Sequence, residues 1–129
     1  MKSVTLSIFI KRSPQVVYEF VSNAENLPKW AKMFCISVTR ADDDWTVETP
    51  QGPVRLKFSE SNTFGVLDHY VTVSPGVEVY VPMRVVQNGQ GSEVLFTLFQ
   101  HADMPDEKFA DDMRWVNQDL RSLKKVLEE

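Results

Sequence analysis

The residues of this chain best placed to do chemistry are few. His69 and His101 are its only histidines, the residue type that titrates near neutrality. His69 stands in Asp68-His69-Tyr70, a polar triplet inside an otherwise strand-like segment. A histidine or carboxylate there can move a proton or anchor a ligand by hydrogen bonding. The plainer reading is a strand histidine bonded to a neighbour. Side chains alternate across a strand, so only one of Asp68 and His69 can face a given side. Leu67, His69, Val71 and Val73 make the more apolar set, which turns His69 inward. A two-residue turn at Pro75-Gly76 would instead pair Asp68 with Met83 and give it that face. The sequence leaves both registers open. At least one of the two is expected to line a cavity beside a polar group of the next strand, Tyr80 or Arg84.

As catalytic candidates these four sort by role. His69 or Asp68 would be the base, and Tyr80 or Arg84 would steady an enolate oxygen. Arg84 also has a surface reading. With Asn88-Gly89 as the hairpin turn it stands opposite Glu93, as a cross-strand ion pair. A zinc site needs three or four spaced ligands, and Cys35, His69 and His101 have no such spacing. Asp42-Asp43-Asp44 lacks the spaced ligands of a calcium loop and reads as a hairpin tip. Phosphate loops, nucleophile elbows and Cys-His signatures are absent from the sequence. No metal and no cofactor are expected.

The elements that must hold these residues are legible in the pattern. Val4, Leu6, Ile8 and Ile10 alternate with Ser3, Thr5, Ser7 and Phe9 as a half-buried strand. Ser13-Pro14 is a helix start, an N-cap followed by proline at the first helical position. Asn23 interrupts that helix and caps a second short one, from Ala24 to about Met33. Six strand-like segments follow: 34–40, 45–49, 54–58, 66–73, 77–86 and 93–99. Short turns between them demand antiparallel pairing. Phe109, Met113, Val116, Leu120, Leu123 and Leu127 then form one helical stripe that must lie on the sheet.

The chain has 129 residues and a mass of 14.8 kDa, which suits a single domain over residues 1–129. Its composition, 43% hydrophobic and 25% charged, is that of a globular protein. A net charge of −4 without Lys/Arg runs speaks against nucleic acid and anionic membranes as partners. Cys35 is the only cysteine, so no intrachain disulfide can form. The alternating N-terminus, closed early by Lys11 and Arg12, is neither a signal peptide nor a span. A cytoplasmic location without membrane insertion is expected.

The segment from Ser13 to Ala31 carries Pro14 at a helix start, Tyr18-Glu19-Phe20, and Trp30 closing the second helix. With the terminal helix from Trp115 to Glu128, it resembles the START-like superfamily, and within it the polyketide cyclase/dehydrase-like branch. The resemblance implies an α+β helix-grip: a curved antiparallel sheet of about seven strands around a long C-terminal helix, with two short helices after the first strand. It also implies a cavity between sheet and helix, since members bind lipids, sterols, polyketides and hormones, and some are cyclases, aromatases or hydrolases. The family has no shared catalytic set to transfer.

A small hydrophobic ligand is therefore the expected partner. Its expected wall comprises Trp30, Phe34, His69, Tyr70, Phe96, Phe109 and Met113. Two alternatives stay open: a cyclase- or dehydratase-type enzyme, and an interaction module with no open cavity. Trp115 stands one position off the helical stripe. It either covers the helix flank or meets a second copy in a homodimer.

Overall fold

Alternation in the first ten residues produces strand β1 (Lys2–Ile10), half-buried along its length. The computed structural model describes residues 1–129. Helix α1 (Pro14–Ser22) starts where Ser13 Oγ accepts the Val16 N–H at 3.3 Å, with Pro14 in the first turn. Asn23 then accepts the Glu25 N–H at 3.1 Å and opens a single tight turn, Ala24–Asn26. Helix α2 (Leu27–Trp30) follows directly and is shorter than the helical pattern suggests, because Ala31 leaves helical geometry.

Strands β2 (Ser37–Ala41), β3 (Asp44–Thr49), β4 (Gly52–Phe58), β5 (His69–Ser74) and β6 (Val77–Val81) form one antiparallel sheet in chain order. Strands β7 (Met83–Asn88) and β8 (Gly91–Gln100) form a second with β1, in the order β1-β8-β7. Eight strands thus replace the expected seven. The segment read as one strand over 77–86 is cut at Pro82, which has no N–H to give to a ladder. The Pro82 carbonyl still accepts the Thr97 N–H at 3.0 Å and ties the two sheets together.

Two registers differ from the sequence expectation. The β7–β8 turn lies at residues 89–90, so Arg84 stands opposite Leu95 and not Glu93. Gly91 explains the shift. A Cβ there would meet the Ile10 carbonyl oxygen at 2.6 Å and the Phe9 ring at 2.7 Å, so glycine is needed against the end of β1. Between β5 and β6, Ser74 pairs Val77 across the expected turn, but an irregularity between Thr72 and Ser74 slips the rest of the ladder by one. His69 consequently pairs Val81.

Helix α3 (Asp106–Glu128) packs on β1 and α2. Leu120, Leu123 and Leu127 lie in the core with Ile10, Val17, Val21, Val47, Leu56 and Val94. Its C-terminal end is tied to the end of β1 and the residues just after it. Arg12 donates to the Leu127 carbonyl at 2.7 Å, and Lys124 donates to the Phe9 carbonyl at 2.8 Å. Those groups satisfy carbonyls and place positive charge where the helix dipole favours it.

Candidate functional site

A cavity of about 410 Å³ lies between the five-stranded sheet, α2 and α3. Its sheet wall follows from alternation: Val54, Leu56 and Phe58 of β4, Val71 and Val73 of β5, and Phe96 and Leu98 of β8 point inward. Trp30, Phe34 and Met33 close one end. The consecutive residues 79–81 and 96–99 all border the cavity, whereas a continuous ladder would present only every second one; β6 and β8 belong to different sheets and do not pair. Tyr80 and Phe99 stack at 6.5 Å between them.

Of the expected wall, Trp30, Phe34, His69 and Phe96 border the cavity. Tyr70, Phe109 and Met113 do not. Tyr70 is on the outer face, packed on Tyr80 at 5.2 Å. Phe109 is buried beside the cavity lining, and Met113 sits on the same row of α3. The row that meets the cavity is the flanking one, Lys108, Asp112, Trp115 and Asp119, each one residue before a member of the apolar stripe. Only Val116 belongs to both. Trp115 therefore borders the cavity, with Lys108 5.5 Å above its ring.

His69 and Asp68 part company. The His69 ring faces Phe58 at 5.3 Å and Phe96 at 6.0 Å inside the cavity. Its Nδ1 lies 3.0 Å from the Leu67 carbonyl, which can only accept, so in the neutral ring Nδ1 carries the proton and Nε2 is the acceptor. Burial lowers its pKa and favours that neutral form.

Asp68 is buried outside the cavity wall and is saturated. It accepts from Arg84 Nε at 2.9 Å and a second guanidinium nitrogen at 2.7 Å, from the Met83 N–H at 2.8 Å, and from the Tyr80 hydroxyl at 2.8 Å. The Arg84 hydrogen bonds hold its carboxyl down at about 2, assisted by Met83 and Tyr80 and against the desolvation of burial. The base-and-enolate arrangement of His69 or Asp68 with Tyr80 or Arg84 is thus not assembled. Asp68, Tyr80 and Arg84 engage one another on the far side of β5 from His69.

Asp119 is a site residue that the sequence reading missed. It is only 6% exposed, borders the cavity, and accepts the Met33 N–H at 3.0 Å. Its pKa is pushed up to about 6 by desolvation, with the Met33 and Phe34 N–H groups pulling it down. It lies close enough to Cys35 to help push that thiol up to about 11, after burial itself. The available signal was a second row with the same four-three-four spacing through 108, 112, 115 and 119. Two residues that border the cavity, Trp30 and His101, each bury a ring nitrogen, Nε1 and Nε2, that has no hydrogen-bond partner and no surface open to the cavity.

A raised carboxyl pKa binds its proton more tightly in the folded chain. Stability from this group is therefore present below its unfolded pKa of 3.8 and lost as pH rises towards about 6. At about 1.4 kcal/mol per tenfold change in proton affinity, the loss is worth about 3 kcal/mol. Asp119→Asn keeps the acceptor for Met33 and removes the charge. It is expected to raise the Tm at pH 8 and leave it unchanged at pH 4; a lower Tm at both would refute the charge-burial account.

Comparison with known proteins adds the lineage. The family of polyketide cyclase/dehydrase and lipid transport proteins matches residues 1–128. The chain belongs to this family. No curated protein matches the sequence. Among solved structures, XoxI from Bacillus cereus is similar, with a TM-score of 0.78 at 16% identity over 98% of this chain and 96% of that one. The Aha1 dimer from Colwellia psychrerythraea gives 0.76 at 19%, covering 99% of this chain and 97% of that one. Ara h 8.0201 gives 0.70 at 13%, covering 98% and 97%. These likenesses establish the helix-grip fold shared across the family. No helix of the chain is long and apolar enough to cross a membrane.

Proposed function

We propose that the protein binds one small, mostly apolar molecule in the cavity between its sheet and α3. The observation that carries this reading is the cavity itself. It is walled mainly by apolar and aromatic side chains, with His69 and Asp119 among the few polar groups on the wall. The volume, about 410 Å³, is within the range of small-molecule sites. Family membership supports the same class of ligand.

Trp30 and Trp115 both border the cavity, so occupancy should be visible in intrinsic fluorescence. Titration with 1-decanol is expected to shift the emission and raise the Tm, with a Kd on the order of 10 μM. A set of C8 to C12 alcohols, esters and aromatic ketones that moves neither signal would contradict the reading.

A second reading is proton transfer on a bound carbonyl compound. It is favoured by a neutral His69 with Nε2 as acceptor and by Asp119, titrating at about 6, on the same cavity. A structural relative covered over 48% of its length is a protein of the dynemicin biosynthetic locus. Turnover of a bound ketone that His69→Gln abolishes, with ligand affinity intact, would establish it. A homodimer is the one protein partner proposed, by analogy with the Aha1 dimer, and sedimentation at micromolar concentration decides it.

A further inference from the structure

Resting on that ligand-binding reading, the geometry points to selection by charge: the cavity takes neutral amphiphiles and rejects carboxylates, with Asp119 as the discriminating residue. Asp119 is 6% exposed on the cavity wall and makes no ion pair; its hydrogen-bond donor is the Met33 backbone N–H at 3.0 Å. The lysine on its own helix row, Lys108, is bonded to Asp112 at 2.6 Å, so that cation is already engaged. Cys35, the titratable neighbour on the segment after α2, is held as the neutral thiol. His69, across the cavity on β5, is held neutral by burial. A carboxylate ligand would therefore meet a second, unneutralised carboxylate in a desolvated site, where like charges repel strongly.

A neutral ligand meets no such repulsion. As a carboxylate Asp119 only accepts, so an alcohol can donate to it, whereas an ester brings neither a donor nor a charge.

The test uses three probes with one chain length on the full protein at pH 8: 1-decanol, methyl decanoate and sodium decanoate. Binding of the first two with decanoate at least about tenfold weaker is expected. In Asp119→Asn, decanoate should gain about tenfold while methyl decanoate changes by less than about threefold. If decanoate binds wild type as tightly as its methyl ester, charge selection is refuted while ligand binding stands. The same holds if Asp119→Asn leaves the deficit unchanged. If none of the three binds, the cavity reading itself is overturned. Should Asp119→Asn fail to fold, the wild-type ester-to-acid ratio still decides.

Discussion

Leu120→Asp is expected to lower the stability of the fold by about 4 kcal/mol or more. Leu120 is 1% exposed and sits in the central cluster. Two costs combine. The lost side chain leaves a cavity, worth about 2–5 kcal/mol for a buried leucine. The new carboxylate is buried without a cationic partner, next in sequence to Asp119, which is already destabilised by burial. Urea unfolding should show a midpoint far below wild type, or a chain unfolded at ambient temperature. A change under about 0.5 kcal/mol, the range of a surface substitution, would mean that α3 is not packed as described.

Asp68→Ala should cost about 2–3 kcal/mol, less than the full penalty for breaking a buried ion pair because Arg84 is half-exposed and can rehydrate. The loss strands the Met83 N–H and frees both the guanidinium and the Tyr80 hydroxyl. Its pH dependence has the opposite sign to that of Asp119. A carboxyl held at about 2 in the fold contributes stability above its unfolded pKa of 3.8, and that contribution disappears as pH falls through about 2. Wild type and Asp68→Ala should therefore differ most above pH 5 and converge near pH 2. Because Asp68 stands behind the sheet and not in the cavity, ligand affinity should fall far less than stability. A large loss of affinity in a variant of unchanged Tm would contradict its structural role.

The order of elements was legible because it rests on local signals. Alternation in Val4 to Ile10, the Ser13-Pro14 start and the stripe from Phe109 to Leu127 each act within a few residues. The registers were less so, because their causes lie elsewhere in the chain. Gly91 is set by contact with β1, and the slip between Thr72 and Ser74 decides between two hints that conflict in the sequence. Turn counting is right at Ser74 and Val77, and the apolar alternation is right at His69. The irregularity between them moves the ladder by one residue, so the turn is as expected but Asp68 neither pairs with Met83 nor shares its cavity face.

The cavity was the least legible part. A buried apolar stripe shows which side of a helix meets the core. It does not show where the core stops short of filling the space above the sheet. On α3 the stripe fills the core at Leu120, Leu123 and Leu127, while the neighbouring row of Lys108, Asp112, Trp115 and Asp119 faces the cavity. A polar row beside an apolar one reads as a solvated face by default. The stripe accordingly points to Phe109 and Met113 as walls, and Asp119, in the polar row, carries no apolar signal.

The most direct measurement of the central claim is a set of intermolecular NOEs from the decyl chain of bound 1-decanol to the protein. Contacts to Phe34, Val71, Phe96 and the Trp30 ring are expected. Saturating 1-decanol that gives NOEs confined to exposed residues such as Phe64 and Ile36 would show that the cavity does not hold the ligand.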